Sequence, residues 1–234
     1  MPARLDKIIS DTGLYSRSEA RTLIKSGRVT AGRRVAKSAA EQIDPEIDMV
    51  TIDGAPLEYR KYWYIMMNKP EGYVSSTADK RDKTVVCLLD EKYSKLGLFP
   101  VGRLDKDATG MLLLTNDGDF AHRITSPANR VAKRYFVQID GEISDDEISA
   151  FSAGLTLKDG TKCLPAGLEK AAGGVFVTVY EGKYHQVKRM MAALGKPVNS
   201  LKRVSIGGLA LDENLKPGEY REIDHEISLI TEDF

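Results

Sequence analysis

The residues best suited to chemistry lie between two glycines, in Gly102-Arg103-Leu104-Asp105-Lys106-Asp107-Ala108-Thr109-Gly110. Two carboxylates, two cations and a hydroxyl follow one another there. Such a set can attack as a carboxylate nucleophile, move a proton or hold a cation. The run passes directly into Met111 to Leu114, a short apolar stretch closed by Asn116-Asp117-Gly118. That is the pattern of a buried strand ended by a turn. The charged residues are therefore expected on a loop held against the core, where rigid scaffolds commonly display function. Asp105 is the expected reactive group, although a loop aspartate is by type most often a turn or cap residue. The rest of the chain has to carry the assignment.

The positioning elements can be read in order. Leu5, Ile8 and Ile9 predict a first amphipathic helix, stopped by Gly13. Ser16 opens a second, with Glu19 completing a capping box, Ala20, Leu23 and Ile24 facing inward, and Gly27 as the stop. Arg17, Arg21, Lys25 and Arg28 make one basic stripe on its other side. Glu19 is the only acid read as interleaved with it. Tyr62 to Met67 predicts a strand leading to a turn at Asn68-Lys69-Pro70-Glu71-Gly72, while residues 73 to 99 are uninformative apart from an exposed run, Thr77 to Lys83. Lys133 to Val137 begins another strand, Ser144 with Glu147 caps a helix to about Ala153, and Val175 to Tyr180 alternates as a strand. Val187, Met190, Met191 and Leu194 predict a helix with one buried face and Gly195 at its end, leaving Lys188 and Arg189 off that face.

Composition narrows the classes. An apolar share of 42% and a charged share of 29% are those of a globular protein, and no stretch approaches the roughly 20 apolar residues of a membrane span. The N-terminus shows no apolar signal segment, which makes the cytoplasm the expected location. Cys87 and Cys163, like His122, His185 and His225, show no metal-ligand spacing, and neither a Walker nor a dinucleotide motif occurs. No metal and no cofactor are expected.

A formal net charge of zero conceals segregation. Residues 1 to 37 hold nine Lys/Arg against three Asp/Glu, and residues 183 to 203 hold six against none. Segments 38 to 60 and 212 to 234 are acidic. Local basic surfaces of this kind can bind phosphate whatever the total charge.

Gly102-Arg103-Leu104-Asp105 with Thr109-Gly110 resembles the catalytic loop of RNA pseudouridine synthases, most closely the RsuA family acting on bacterial ribosomal RNA. Lys69-Pro70-Glu71-Gly72, Lys133-Arg134-Tyr135, the segment Glu181 to Met190 and Leu201 to Gly207 match its other motifs. Residues 2 to 50 resemble an S4 domain, an RNA-binding module, with Ala31-Gly32-Arg33-Arg34 where the S4 hairpin usually turns at Asn/Asp-Gly. The resemblance implies isomerisation of uridine to pseudouridine, with Asp105 catalytic, Tyr135 stacked on the uracil, Lys188 paired with Asp105, Leu201 in the uracil pocket and Arg103 filling the space left by a flipped base. It also implies RNA contacts from Arg17, Arg21, Lys25, Arg28, Arg33 and Arg34.

The expected architecture is α+β: an S4-like module over residues 1 to 58, then a catalytic domain over 59 to 234 with a mostly antiparallel sheet and flanking helices. The expected partner is ribosomal RNA, with 16S rRNA or a small-subunit assembly intermediate and a uridine-516-type site nearest the pattern, and a monomeric, membrane-free protein. Large-subunit (23S) enzymes share every motif. Two other readings stay open: Asp105-Lys106-Asp107-Ala108-Thr109 fits the Asp-x-Asp-x-Thr of magnesium-dependent phosphatases, and the basic surfaces would equally suit a non-catalytic rRNA-binding factor.

Overall fold

A computed structural model describes residues 2–45 and 47–231. Contacts divide the chain into two units, Met1–Trp63 with Leu89–Leu98, and Tyr64–Leu88 with Phe99–Phe234. The division falls a few residues beyond the expected 58/59 boundary. It also returns segment 89–98 to the first unit, where the Tyr93 ring meets Trp63 edge-on at 6.0 Å.

In the first unit, β1 (Ala3–Arg4) leads into α1 (Leu5–Asp11) and α2 (Arg17–Lys25). Leu5, Ile8 and Ile9 on α1 and Ala20, Leu23 and Ile24 on α2 form one buried seam, as their spacing predicts. Both bonds of the Ser16–Glu19 capping box are made. The hairpin of β2 (Val29–Ala31) and β3 (Arg34–Val35) pairs Ala31 with Arg34, so Gly32-Arg33 is a two-residue turn. Gly32 takes φ +60°, which lets glycine stand at the first central position in place of the usual Asn/Asp-Gly order. β4 (Gln42–Ile43) pairs with β1, and β5 (Val50–Ile52) and β6 (Ala55–Pro56) complete a four-stranded sheet in the order β3-β2-β5-β6.

The second unit opens with β7 (Tyr64–Lys69), followed by β8 (Phe99–Pro100), β9 (Thr109–Thr115), α3 (Gly118–Thr125) and β10 (Lys133–Ile139). Then come α4 (Asp145–Ala153), β11 (Gly167–Ala171), β12 (Gly174–Val179), α5 (Gln186–Ala193), β13 (Val198–Ile206), β14 (Leu209–Ala210) and β15 (Tyr220–Glu222). The sheet runs β11-β12-β10-β13-β9-β7-β15, with β14 beside β13 and β8 beside β9. This is the mixed, mostly antiparallel α+β architecture expected. β7 extends through Asn68 and Lys69, which places these two residues in the sheet instead of the predicted turn.

Among the described strands one pair is parallel: β9 with β13, through Thr109↔Lys202 and Gly110↔Arg203. It joins the two antiparallel halves of the sheet, and the charged loop feeds into it. Met111 to Leu114 are essentially without exposure, each burial worth roughly 1.5–3 kcal/mol, so β9 anchors the loop's end firmly. Gly110 is required at the joint. Its φ is +97°, and a Cβ there would stand 2.2 Å from the carbonyl oxygen of Arg203.

Candidate active site

The loop between Gly102 and Gly110 is tied down by its backbone. The Ser75 hydroxyl donates to the carbonyl of Leu104 (2.9 Å) and accepts from its N–H (3.0 Å). The Gly72 N–H donates to the Lys106 carbonyl at 2.8 Å. The Lys69 ammonium, fully buried, donates to the carbonyls of Ala108 (2.8 Å) and Pro70 (3.0 Å). Burial pulls its pKa down to about 8, against the opposing charges of Asp107 and Asp105. A loop fixed at Leu104, Lys106 and Ala108 can hold the side chain of Asp105 in one place.

Asp105 lines a cavity of about 640 Å³ together with Arg103, Tyr135, His185, Leu201 and Arg203. That volume lies within the roughly 300–1,000 Å³ of small-molecule sites. The Asp105 side chain is 26% exposed. Its Oδ2 stands 3.4 Å from Lys188 Nζ, and its Oδ1 stands 3.4 Å from His185 Nε2. The pairing with Lys188 is thus present, but shared, because the shorter contact of Lys188 is to Asp107 Oδ1 at 2.5 Å. Burial works against the Lys188 charge, yet the two carboxylates together outweigh it and raise its pKa. The hydrogen bond from Lys188 holds the Asp107 carboxyl below the usual carboxylate range. The second carboxylate of the Asp-x-Asp-x-Thr pattern is therefore occupied with a lysine, and no cluster of three His, Cys, Asp or Glu side chains suited to a metal occurs among the described residues.

Across the cavity, β10 and β13 contribute Tyr135, 9% exposed, and Leu201, 6% exposed. In the antiparallel register Tyr135 opposes Arg203 and Val137 opposes Leu201. Arg203 is almost completely buried. Its Nε donates to the Met111 carbonyl at 2.7 Å and its Nη1 to the Tyr135 hydroxyl at 3.5 Å, which fixes the tyrosine ring from behind. Lys133 also lines the cavity, with its ammonium bonded to the Ile124 carbonyl at 3.0 Å. Burial, and next the Arg203 charge, push its pKa down to about 8. Arg103 is exposed on the cavity wall and has no ion-pair partner among the described residues.

The basic stripe of the first unit is less bare than it looks in sequence. Arg21 Nε lies 3.2 Å from the buried Asp6, Arg28 pairs with Asp53, and Arg34 pairs with Glu41. Arg4 before all else, then Arg21, holds the Asp6 carboxyl down at about 2. The expectation that only Glu19 stands among these cations is corrected accordingly, since the chain folds acids from α1 and the β-strand loops onto the stripe. Arg17, Lys25 and Arg33 remain exposed without an ion pair among the described residues.

Ser75 escapes sequence reasoning altogether, since it lies in a stretch without periodicity. Asp107 is visible on the loop, and Lys69, Lys133, His185 and Arg203 fall inside the matched motifs, but sequence assigns none of them the contacts they make here; by type alone Lys69 and Lys133 look like ordinary solvated lysines. His185 carried one local signal, its position immediately before an apolar-faced helix, where it adopts φ 47° and ψ 36°.

Residues 63–193 match the family described as RNA pseudouridylate synthase, and residues 3–46 match the S4 domain. A Bacillus subtilis protein named as an uncharacterized RNA pseudouridine synthase, YtzG, is 44% identical, covering 98% of each chain. The protein named ribosomal small subunit pseudouridine synthase A is 45% identical in Salmonella typhimurium and 44% identical in Escherichia coli, covering 95% of this chain and 97% of theirs. A crystal structure of a pseudouridylate synthase superposes with a TM-score of 0.68 at 38% identity, covering 97% of this chain and 99% of that one.

Proposed function

The chain belongs to the RNA pseudouridylate synthase family and carries an S4 domain, and on that premise we propose that it converts one uridine of small-subunit ribosomal RNA to pseudouridine with Asp105 as nucleophile. The observation behind the proposal is the setting of Asp105. It is a carboxylate on a backbone-clamped loop, open to a cavity with ample room for a nucleoside, with a cation and an imidazole each 3.4 Å away.

A uridine stacked in RNA shields C1′ and C6, so it must first be extruded, at a cost of a few kcal/mol. Arg103, exposed at the cavity wall and without an ion pair among the described residues, is suited to fill the space the base leaves. The extruded uracil lies against the Tyr135 ring, with Leu201 on the apolar wall, since base recognition in such pockets combines stacking with shape. Asp105 then attacks the nucleotide, and Lys188 orients the carboxylate. The N1–C1′ bond breaks, the uracil turns, C5–C1′ forms, and the bond between Asp105 and the nucleotide breaks to return the free carboxylate. The proton lost from C5 is balanced by one gained at N1. The reaction is an isomerisation and consumes nothing.

The small-subunit synthases of Salmonella and Escherichia coli, similar over almost the whole chain, support a target in the small subunit, and within it we propose a uridine-516-type site of 16S rRNA. The S4 unit supplies affinity and placement through phosphate contacts more than chemistry. The test is pseudouridine mapping of total rRNA from cells lacking the gene, with and without the restored gene. Loss of one 16S pseudouridine, recovered on restoration, is expected. Loss confined to 23S rRNA would overturn the small-subunit assignment, and an unchanged map would overturn the function.

A further inference from the structure

Residues 183 to 186 form a tight turn at the rim of the Asp105 cavity. The Gln186 N–H donates to the Lys183 carbonyl at 3.1 Å, and the Lys183 N–H donates back to the Gln186 side chain at 2.9 Å. Gln186 is itself held by the buried Glu181 at 2.8 Å. The two central residues are Tyr184 and His185, whose rings stack with centroids 3.8 Å apart and planes at 18°. Arg189 adds a bond to the Tyr184 carbonyl at 3.2 Å. His185 is a non-glycine residue in the left-handed region, a conformation that costs energy and concentrates at functional sites.

The two rings form a graded path from the reactive group to solvent. His185 Nε2 is 3.4 Å from Asp105, while Tyr184 is 76% exposed. A large aromatic left this open on a braced turn is already ordered, so a third ring can join the stack at little further cost in entropy. The extruded uracil cannot be that ring. Its stacking partner, Tyr135, lies inside the cavity at 9% exposure.

We propose that the Tyr184–His185 pair is a stacking shelf for the nucleobase adjacent to the target uridine, so that the site grips two consecutive nucleotides, one inside the cavity and one on its rim. This rests on the RNA-modifying function proposed above. Because every base has a π-face, the shelf contributes affinity and register with little choice of base. His185, the inner ring of the shelf and 3.4 Å from Asp105, links seating of that neighbour to the position of the carboxylate.

The experiment measures affinity in the full-length Asp105→Asn protein, where RNA is bound without turnover. The probe is the rRNA fragment containing the mapped uridine, intact or abasic at the nucleotide immediately 5′ or 3′ of it. Tyr184→Ala should weaken binding of the intact fragment by about 5- to 100-fold, and Tyr184→Phe, which keeps the ring, by less than about twofold. One of the abasic fragments should lose the same factor against the unaltered shelf and nothing further against Tyr184→Ala. Equal penalties for both abasic fragments with and without Tyr184, or no penalty for either, would overturn the shelf. The abasic arm reads the native shelf, so a folding defect in Tyr184→Ala cannot hide the answer. Failure of wild-type protein to form pseudouridine would count against the function, while this affinity cycle would still decide the shelf.

Discussion

Lys188 Nζ stands 2.5 Å from Asp107 and 3.4 Å from Asp105, so one ammonium serves two carboxylates of the same loop. Asp107 thereby competes for the cation that would orient Asp105. Removing Lys188 and removing Asp107 should act in opposite directions. In Lys188→Met the single-turnover rate should fall by roughly 10- to 100-fold, because the carboxylate loses the group that positions it. In Asp107→Asn the ammonium is released toward Asp105, and the rate should rise. Single-turnover pseudouridine formation measures both. Losses of similar size in the two variants would contradict the shared-cation arrangement.

The basic stripe divides into paired and unpaired cations. Arg17 and Lys25 have no ion-pair partner among the described residues, whereas Arg21 and Arg28 are engaged by Asp6 and Asp53. Arg17→Gln with Lys25→Gln should weaken RNA binding uniformly across sequences and flatten the slope of log K against log salt by about one to two. Thermal stability should stay unchanged. By contrast, Arg21→Gln leaves the buried Asp6 with one arginine fewer and should lower Tm as well as affinity. An unchanged salt slope in the first variant would mean these two cations face only solvent.

Gly110→Ala should destabilise the catalytic unit by more than about 3 kcal/mol, because the new methyl meets backbone first, which cannot swing aside as the Lys202 side chain 2.9 Å away could. Arg203 O would be 2.2 Å from it and Arg203 N 2.8 Å. Urea denaturation checks this, and a loss below about 1 kcal/mol would show that the β9–β13 joint relaxes more readily than its geometry implies.

Lys133 has a signature of its own at alkaline pH. Its pKa within the fold is about 8, against about 10.4 for a lysine in an unfolded chain. Below pH 8 both states hold the proton and the folded state bears the full cost of burying it. Between these values the unfolded chain binds more protons, so stability rises with pH. Lys69, also at about 8, acts in the same direction. Lys133→Met should therefore be at its most favourable relative to wild type near pH 7 and lose ground steadily toward pH 10. A stability difference independent of pH would contradict the burial argument.

What could be read from sequence follows from how far apart the cooperating residues lie. The Ser16–Glu19 and Ser144–Glu147 capping boxes, the seam of Leu5, Ile8, Ile9 and Leu23, and the strand Met111 to Leu114 all rest on spacing within a few residues. The clamps of the active loop do not. Ser75 meets Leu104 across 29 residues, Lys69 meets Ala108 across 39, and Arg203 meets Met111 across 92. The same separation misled the reading of the basic stripe, because Asp6 and Asp53 stand 15 and 25 residues from the arginines they pair with. The proposal of Asp105 as the reactive group rests mainly on motif resemblance. Its residue type and loop position would have left it a turn aspartate, and the shared hold of Lys188 needed coordinates.

The central claim is that the Asp105 carboxylate is the nucleophile, and Asp105→Asn tests it most directly, since the change keeps size and hydrogen bonding while removing the charge. Wild-type and variant proteins are each incubated in excess over an rRNA fragment containing the mapped uridine, and pseudouridine and RNA affinity are measured on the same samples. Asp105→Asn should form no pseudouridine above background while keeping RNA affinity within about threefold of wild type, because phosphate contacts and stacking do not use the carboxylate. Turnover by Asp105→Asn at a rate comparable to wild type would contradict it.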